Sequence, residues 1–96
     1  MKKEIIEMID VKQAVRIGIE FLNTIYEQGK LTNLLLEEVE LSPDEKYWFI
    51  TFGFDRELPQ YSYLQAITGP DIRRAYKIVK IDAEKGQTIS MKIRES

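Results

Sequence analysis

The run YWFITFGF, residues 47–54, constrains the fold more than any other stretch of the chain. Every residue in it but Gly53 is aromatic or β-branched, which predicts a strand. Alternation puts Trp48, Ile50, Phe52 and Phe54 on one face and Tyr47, Phe49 and Thr51 on the other. A strand apolar on both sides needs cover on both, and the remaining chain must supply it or leave one face open.

A helix is predicted over 10–28. Asp10 stands at the N-cap with Gln13 as the reciprocal acceptor of a capping box. Val11, Ala14, Val15, Gly18, Phe21, Leu22 and Ile25 recur at helical steps, while Arg16, Glu20, Asn23 and Glu27 take the wet side. Gly29 offers a left-handed end. Residues 1–9 are a lead-in, because Ile5, Ile6 and Ile9 do not keep the helical phase.

Residues 34–41, NLLLEEVEL with its first residue omitted, read as a strand whose phase slips between Leu36 and Val39, predicting a bulge near Glu37. Ser42 and Pro43 open a turn, and the aromatic strand completes a first hairpin over 34–54. Residues 55–72 hold two prolines, a glycine and no sustained period, which predicts a long connection of the kind that often carries function. A second hairpin follows over 73–94, with Ile89, Met91 and Ile93 expected inward and Ser90, Lys92 and Arg94 outward. Short hairpins make antiparallel neighbours. The expected fold class is therefore α+β: a single domain, 1–96, with one N-terminal helix on a four-stranded antiparallel sheet in the order α-β-β-β-β.

The turn DAEKG, residues 82–86, raises the question of a ligand. Asp82 is placed to accept the N–H groups of Glu84 or Lys85, and Gly86 to take positive φ. Those needs explain the spacing without a cation. A calcium loop requires several more oxygen ligands over about a dozen positions.

Taken together, VKQAVRIGIEFL, LEEVEL, YWFITFGF and YKIVKIDAEKGQTISMKI resemble the PepSY-like arrangement. There a helix with small residues precedes an Asp-Ala-x-x-Gly hairpin and a closing strand. The likeness runs from about Ile9 to Ile93. It implies a small binding or inhibitory module, since some PepSY-type domains restrain peptidases, and it carries over no catalytic residue. The architecture is also similar to cystatin-like folds and small bacterial immunity proteins.

Function classes narrow by elimination. The chain has no Cys and no His, which removes disulfides, thiolate nucleophiles and imidazole bases. No cofactor and no metal are expected. The N-terminus lacks the apolar core of a signal peptide, and no apolar run nears the roughly 20 residues of a membrane span. A complete cytoplasmic chain without membrane attachment is the expectation. The acidic group Glu37, Glu38, Glu40, Asp44 and Glu45 lacks the desolvation that separates a catalytic carboxyl pair. A stripe of Arg73, Arg74, Lys77, Lys80, Lys85, Lys92 and Arg94 is the footprint for nucleic acid, but the net charge of −2 opposes it. The aromatic strand and the 55–72 segment supply the residue types of interface cores. Tyr47, Phe49, Tyr61, Tyr63, Leu64 and Arg74 are the expected contact residues, for a protein partner or a second copy of the chain. The expected function is a non-enzymatic protein-binding module, an inhibitor, immunity or accessory protein. A small-molecule pocket between helix and sheet is the alternative, and weak nucleic-acid binding the third.

Overall fold

The computed structural model describes residues 7–26, 31–57 and 72–94. One helix, α1 (Val11–Ile25), is followed by four strands: β1 (Thr32–Leu41), β2 (Tyr47–Glu57), β3 (Ile72–Asp82) and β4 (Thr88–Ile93). They form one antiparallel sheet in the order β1-β2-β3-β4. The α+β layout expected from the sequence is the one observed.

The helix starts as its local chemistry requires. The Gln13 N–H donates to the Asp10 carboxylate and the Asp10 N–H donates to the Gln13 side chain, closing the capping box. Its end differs from expectation. Tyr26 is already extended, at φ −93°, ψ 141°, with its N–H on the Leu22 carbonyl. The Tyr26 ring then meets Phe54 edge-on at 5.3 Å. An aromatic contact to the sheet thus ends the helix, and Gly29 lies outside the described residues.

Ala14, Gly18 and Leu22 form the buried stripe of α1. They meet Ile50, Phe52, Val79 and Ile81 on the two central strands. Burying a side chain such as Leu22 or Phe52 contributes about 1.5–3 kcal/mol. Gly18 is required by space: a Cβ there would stand 2.7 and 2.8 Å from the Phe52 ring. Val11 and Ile25, at the two ends of the helix, are exposed.

The first strand carries the bulge, with register shifting between Leu36 and Glu38 and again between Thr32 and Leu35. The second strand is longer than expected. Pairing continues through Asp55↔Arg74 to Glu57↔Ile72, so residues 55–57 and 72 belong to the sheet rather than to a connection. Cross-strand partners supply ladder bonds that override the polar local composition. Residues 58–71 lie outside the described residues. A further correction concerns β4. Met91 packs on the core, but Ile89 and Ile93 are 49% and 71% exposed. They sit on an edge strand, and the helix packs chiefly over the two central strands, β2 and β3.

The two hairpin turns are tied at one end of the sheet. Asp82 accepts from the N–H groups of both Glu84 and Lys85, at 2.8 and 2.7 Å, and Gly86 has φ +70°. The turn holds a hairpin, as its sequence requires. In addition the Ala83 N–H donates to the Lys46 carbonyl, the Ile9 N–H donates to Ala83, and the Trp48 indole donates to Ile9. This locks the lead-in between the turns.

Candidate protein-contact surface

The register assigns residues to the face away from the helix. Tyr47, Phe49, Thr51, Gly53 and Asp55 of β2 alternate with the core set and therefore point outward. Lys80, Ile78, Tyr76 and Arg74 of β3 lie opposite or beside them. Tyr47 and Phe49 are half-buried. Lys80 explains part of this: its Nζ stands 4.1 Å from the Tyr47 ring centroid and 5.8 Å from that of Phe49. A cation over ring faces satisfies charge and apolar surface together.

Further along, Gly53 leaves a bare floor in the face. A Cβ there would lie 2.7 Å from Glu37 Oε1, 3.1 Å from Arg74 Nη2 and 3.1 Å from the Tyr76 ring. Over that floor Arg74 binds three partners. Its Nη1 donates to the Asn33 carbonyl at 2.6 Å and to Asp55 Oδ1 at 3.2 Å, and its Nη2 donates to Glu37 Oε1 at 3.2 Å. Asn33 takes a left-handed backbone, φ 53°, and donates its side-chain amide to Asp55. Asparagine tolerates that conformation better than most residues. The Asn33 amide, followed by the Arg74 guanidinium, holds the Asp55 carboxyl below its ordinary range against the opposing effect of desolvation. Arg94 extends the network from the end of β4 to Glu38 of β1, at 3.4 Å.

The expected contact residues therefore separate. Tyr47 and Phe49 share one end of the outer face. Arg74 lies on the same face toward its other end, engaged in tying β1, β2 and β3 together. Tyr61, Tyr63 and Leu64 lie outside the described residues. The basic stripe does not form as one surface. Lys77 is buried on the helix side, opposite Phe52, Lys80 covers aromatic rings, and Arg74 and Arg94 are paired with carboxylates. The sequence reading missed Lys80 as a partner of the aromatics. The signal was legible in principle, since Phe49 and Lys80 would face one another in a tight β2–β3 pairing, but the intervening segment hid that pairing.

Carboxylates of the turns serve the backbone. Asp44 accepts from the Ser42 hydroxyl at 2.6 Å and the Lys46 N–H at 3.0 Å. These bonds, the Ser42 one foremost, hold its carboxyl below the ordinary value. Asp82 is lowered in the same way, first by the Lys85 N–H. Between the two turns runs an open groove of ≈ 360 Å³, lined by Met8, Lys46, Tyr47 and the acidic side chains of the turns. A general acid needs a carboxyl pushed upward, and each of these shifts is downward.

No protein-family model, no curated protein and no solved structure matches the chain.

Proposed function

We propose that the chain is a non-enzymatic module that acts by protein contact in the cytoplasm, as an inhibitor, immunity or accessory protein. The observation that carries this reading is the outer face of the sheet. The helix covers the other side, and the outer side presents the Tyr47 and Phe49 rings beside Ile78 and Tyr76, within a border of charged side chains. Half-buried aromatic rings beside long charged side chains, arginine among them, are residue types enriched at contact surfaces. The PepSY-like resemblance, with its restraining modules, supports the same direction.

The test is a stoichiometric pull-down from host lysate with tagged wild type and Phe49→Asp. The reading expects one reproducible partner, lost in the variant while far-UV CD stays at wild type. Aspartate at 49 faces Lys80 across the ladder, so an ion pair replaces the ring contact and the fold is retained. A partner captured equally by both proteins would remove this face from the contact.

A further inference from the structure

The two edges of the sheet are built differently. Strand β1 is broken by two register shifts, carries Asn33 in the left-handed region, and bears Glu37, Glu38 and Glu40. Bulges and charges of this kind blunt an edge against pairing. Strand β4 carries a single register shift, at Ile89, and residues 90–93 beyond it pair regularly with β3. The Arg94 N–H bonds the Tyr76 carbonyl at 3.0 Å, so the even-numbered residues there bond inward to β3. Antiparallel alternation then turns the N–H and C=O groups of Met91 and Ile93 to the free side. Among the described residues, no strand pairs with that side. The residues that offer these backbone groups also leave apolar surface uncovered, Ile93 being 71% exposed and Ile89, at the register shift with β3, 49%.

We propose that two copies of the chain pair antiparallel through β4, about a two-fold axis at Met91, into one continuous sheet. This register brings Ile93 of one protomer beside the partner's Ile89. On the outer side it sets Ser90 opposite the partner's Lys92. No like charges face one another, whereas pairing β1 with itself would bring carboxylates together. The inference goes beyond the outer-face reading, because it uses a different surface and leaves Phe49 free. A strand-edge interface of this length falls at the small end of specific interfaces, so the dissociation constant is expected in the micromolar range.

Sedimentation velocity over about 5 to 500 µM protein spans that range. Wild type should pass from monomer to dimer, and Ile93→Lys should weaken the dimer at least about tenfold. The mutated side chain is exposed, so the variant should melt with wild type. Leu35→Lys, on the β1 edge, and Phe49→Asp should leave the dimer unchanged. Hydrogen exchange should show the Met91 and Ile93 amides slowing as concentration rises. A chain monomeric throughout, a dimer indifferent to Ile93→Lys, or one broken by Leu35→Lys would each overturn the proposal. Loss of a lysate partner in Phe49→Asp is read separately, so either reading can fail alone.

Discussion

The two faces of the sheet use the same strands and hold together by different means. On the helix side Ile50, Phe52, Val79 and Ile81 are sealed against Ala14, Gly18 and Leu22. On the other side Thr51 and Gly53 are buried too, yet charged side chains stand among the rings: Arg74 with Glu37 and Asp55, Arg94 with Glu38, and Lys80 over Tyr47 and Phe49. A close-packed interior cannot yield locally, because its atoms have no free space to enter. Long charged side chains anchored at their tips can swing aside. The same alternation therefore yields one face sealed by apolar packing and one held largely by charged side chains.

The largest test of that contrast is Phe52→Ala. Removing a fully buried ring from the sealed face should cost about 3–5 kcal/mol, lowering Tm by at least roughly 12 °C for a chain of this size. Retention of most of that stability would mean that the helix is not held by this ring.

A finer comparison uses the two glycines, each with a Cβ position inside 3 Å of a neighbour. Gly18→Ala drives a methyl into the Phe52 ring. Overpacking of about 1–3 kcal/mol, less about 1 regained in helix propensity, leaves a net loss of up to about 2 kcal/mol. Gly53→Ala meets the ends of Glu37 and Arg74 and, at 3.1 Å, the edge of the Tyr76 ring, which can give more readily than the sealed core, so the loss should stay within about 1 kcal/mol. Urea unfolding of both variants decides the matter. If Gly53→Ala is the more damaging, the outer face is as rigid as the core.

The smallest effect is electrostatic. Asp55 is held below the ordinary carboxylate value of 3.8 in the folded chain. A depressed folded pKa contributes stability that is complete above the unfolded value and is lost as pH falls through the folded one. Asp55→Asn should therefore flatten the acid limb of the stability curve and leave its shape above about pH 5 unchanged. An unchanged acid limb would show that the Asn33–Asp55–Arg74 cluster contributes nothing to the fold in solution.

Much of the fold was legible because it is local. The capping box needs only Asp10 and Gln13, and the last turn needs only Asp82 and Gly86. The bulge at Glu37 is visible as a slip in alternation. The helix end was misplaced because its terminator, the Tyr26–Phe54 contact, joins residues far apart in the chain. Strand residues 55–57 were read as connection because their partners 72–74 lie across the segment between them. Of the candidate site, Tyr47 and Phe49 were set on the face opposite Ile50 and Phe52 by alternation alone, and the helix packing made that face the outer one. The engagement of Arg74 by Asn33, Glu37 and Asp55 was not, since it depends on the left-handed turn at Asn33 and on the bare floor at Gly53.

The sequence by itself determined the element types, their order and which residues of β2 share a face, because capping, turn chemistry and period-two alternation act over a few residues. Only the tertiary structure decided where the helix stops, how far β2 and β3 pair, and that Ile89 and Ile93 stay exposed on an edge strand. These depend on how far one helix reaches across four strands, and on register between distant segments, quantities that no local pattern encodes.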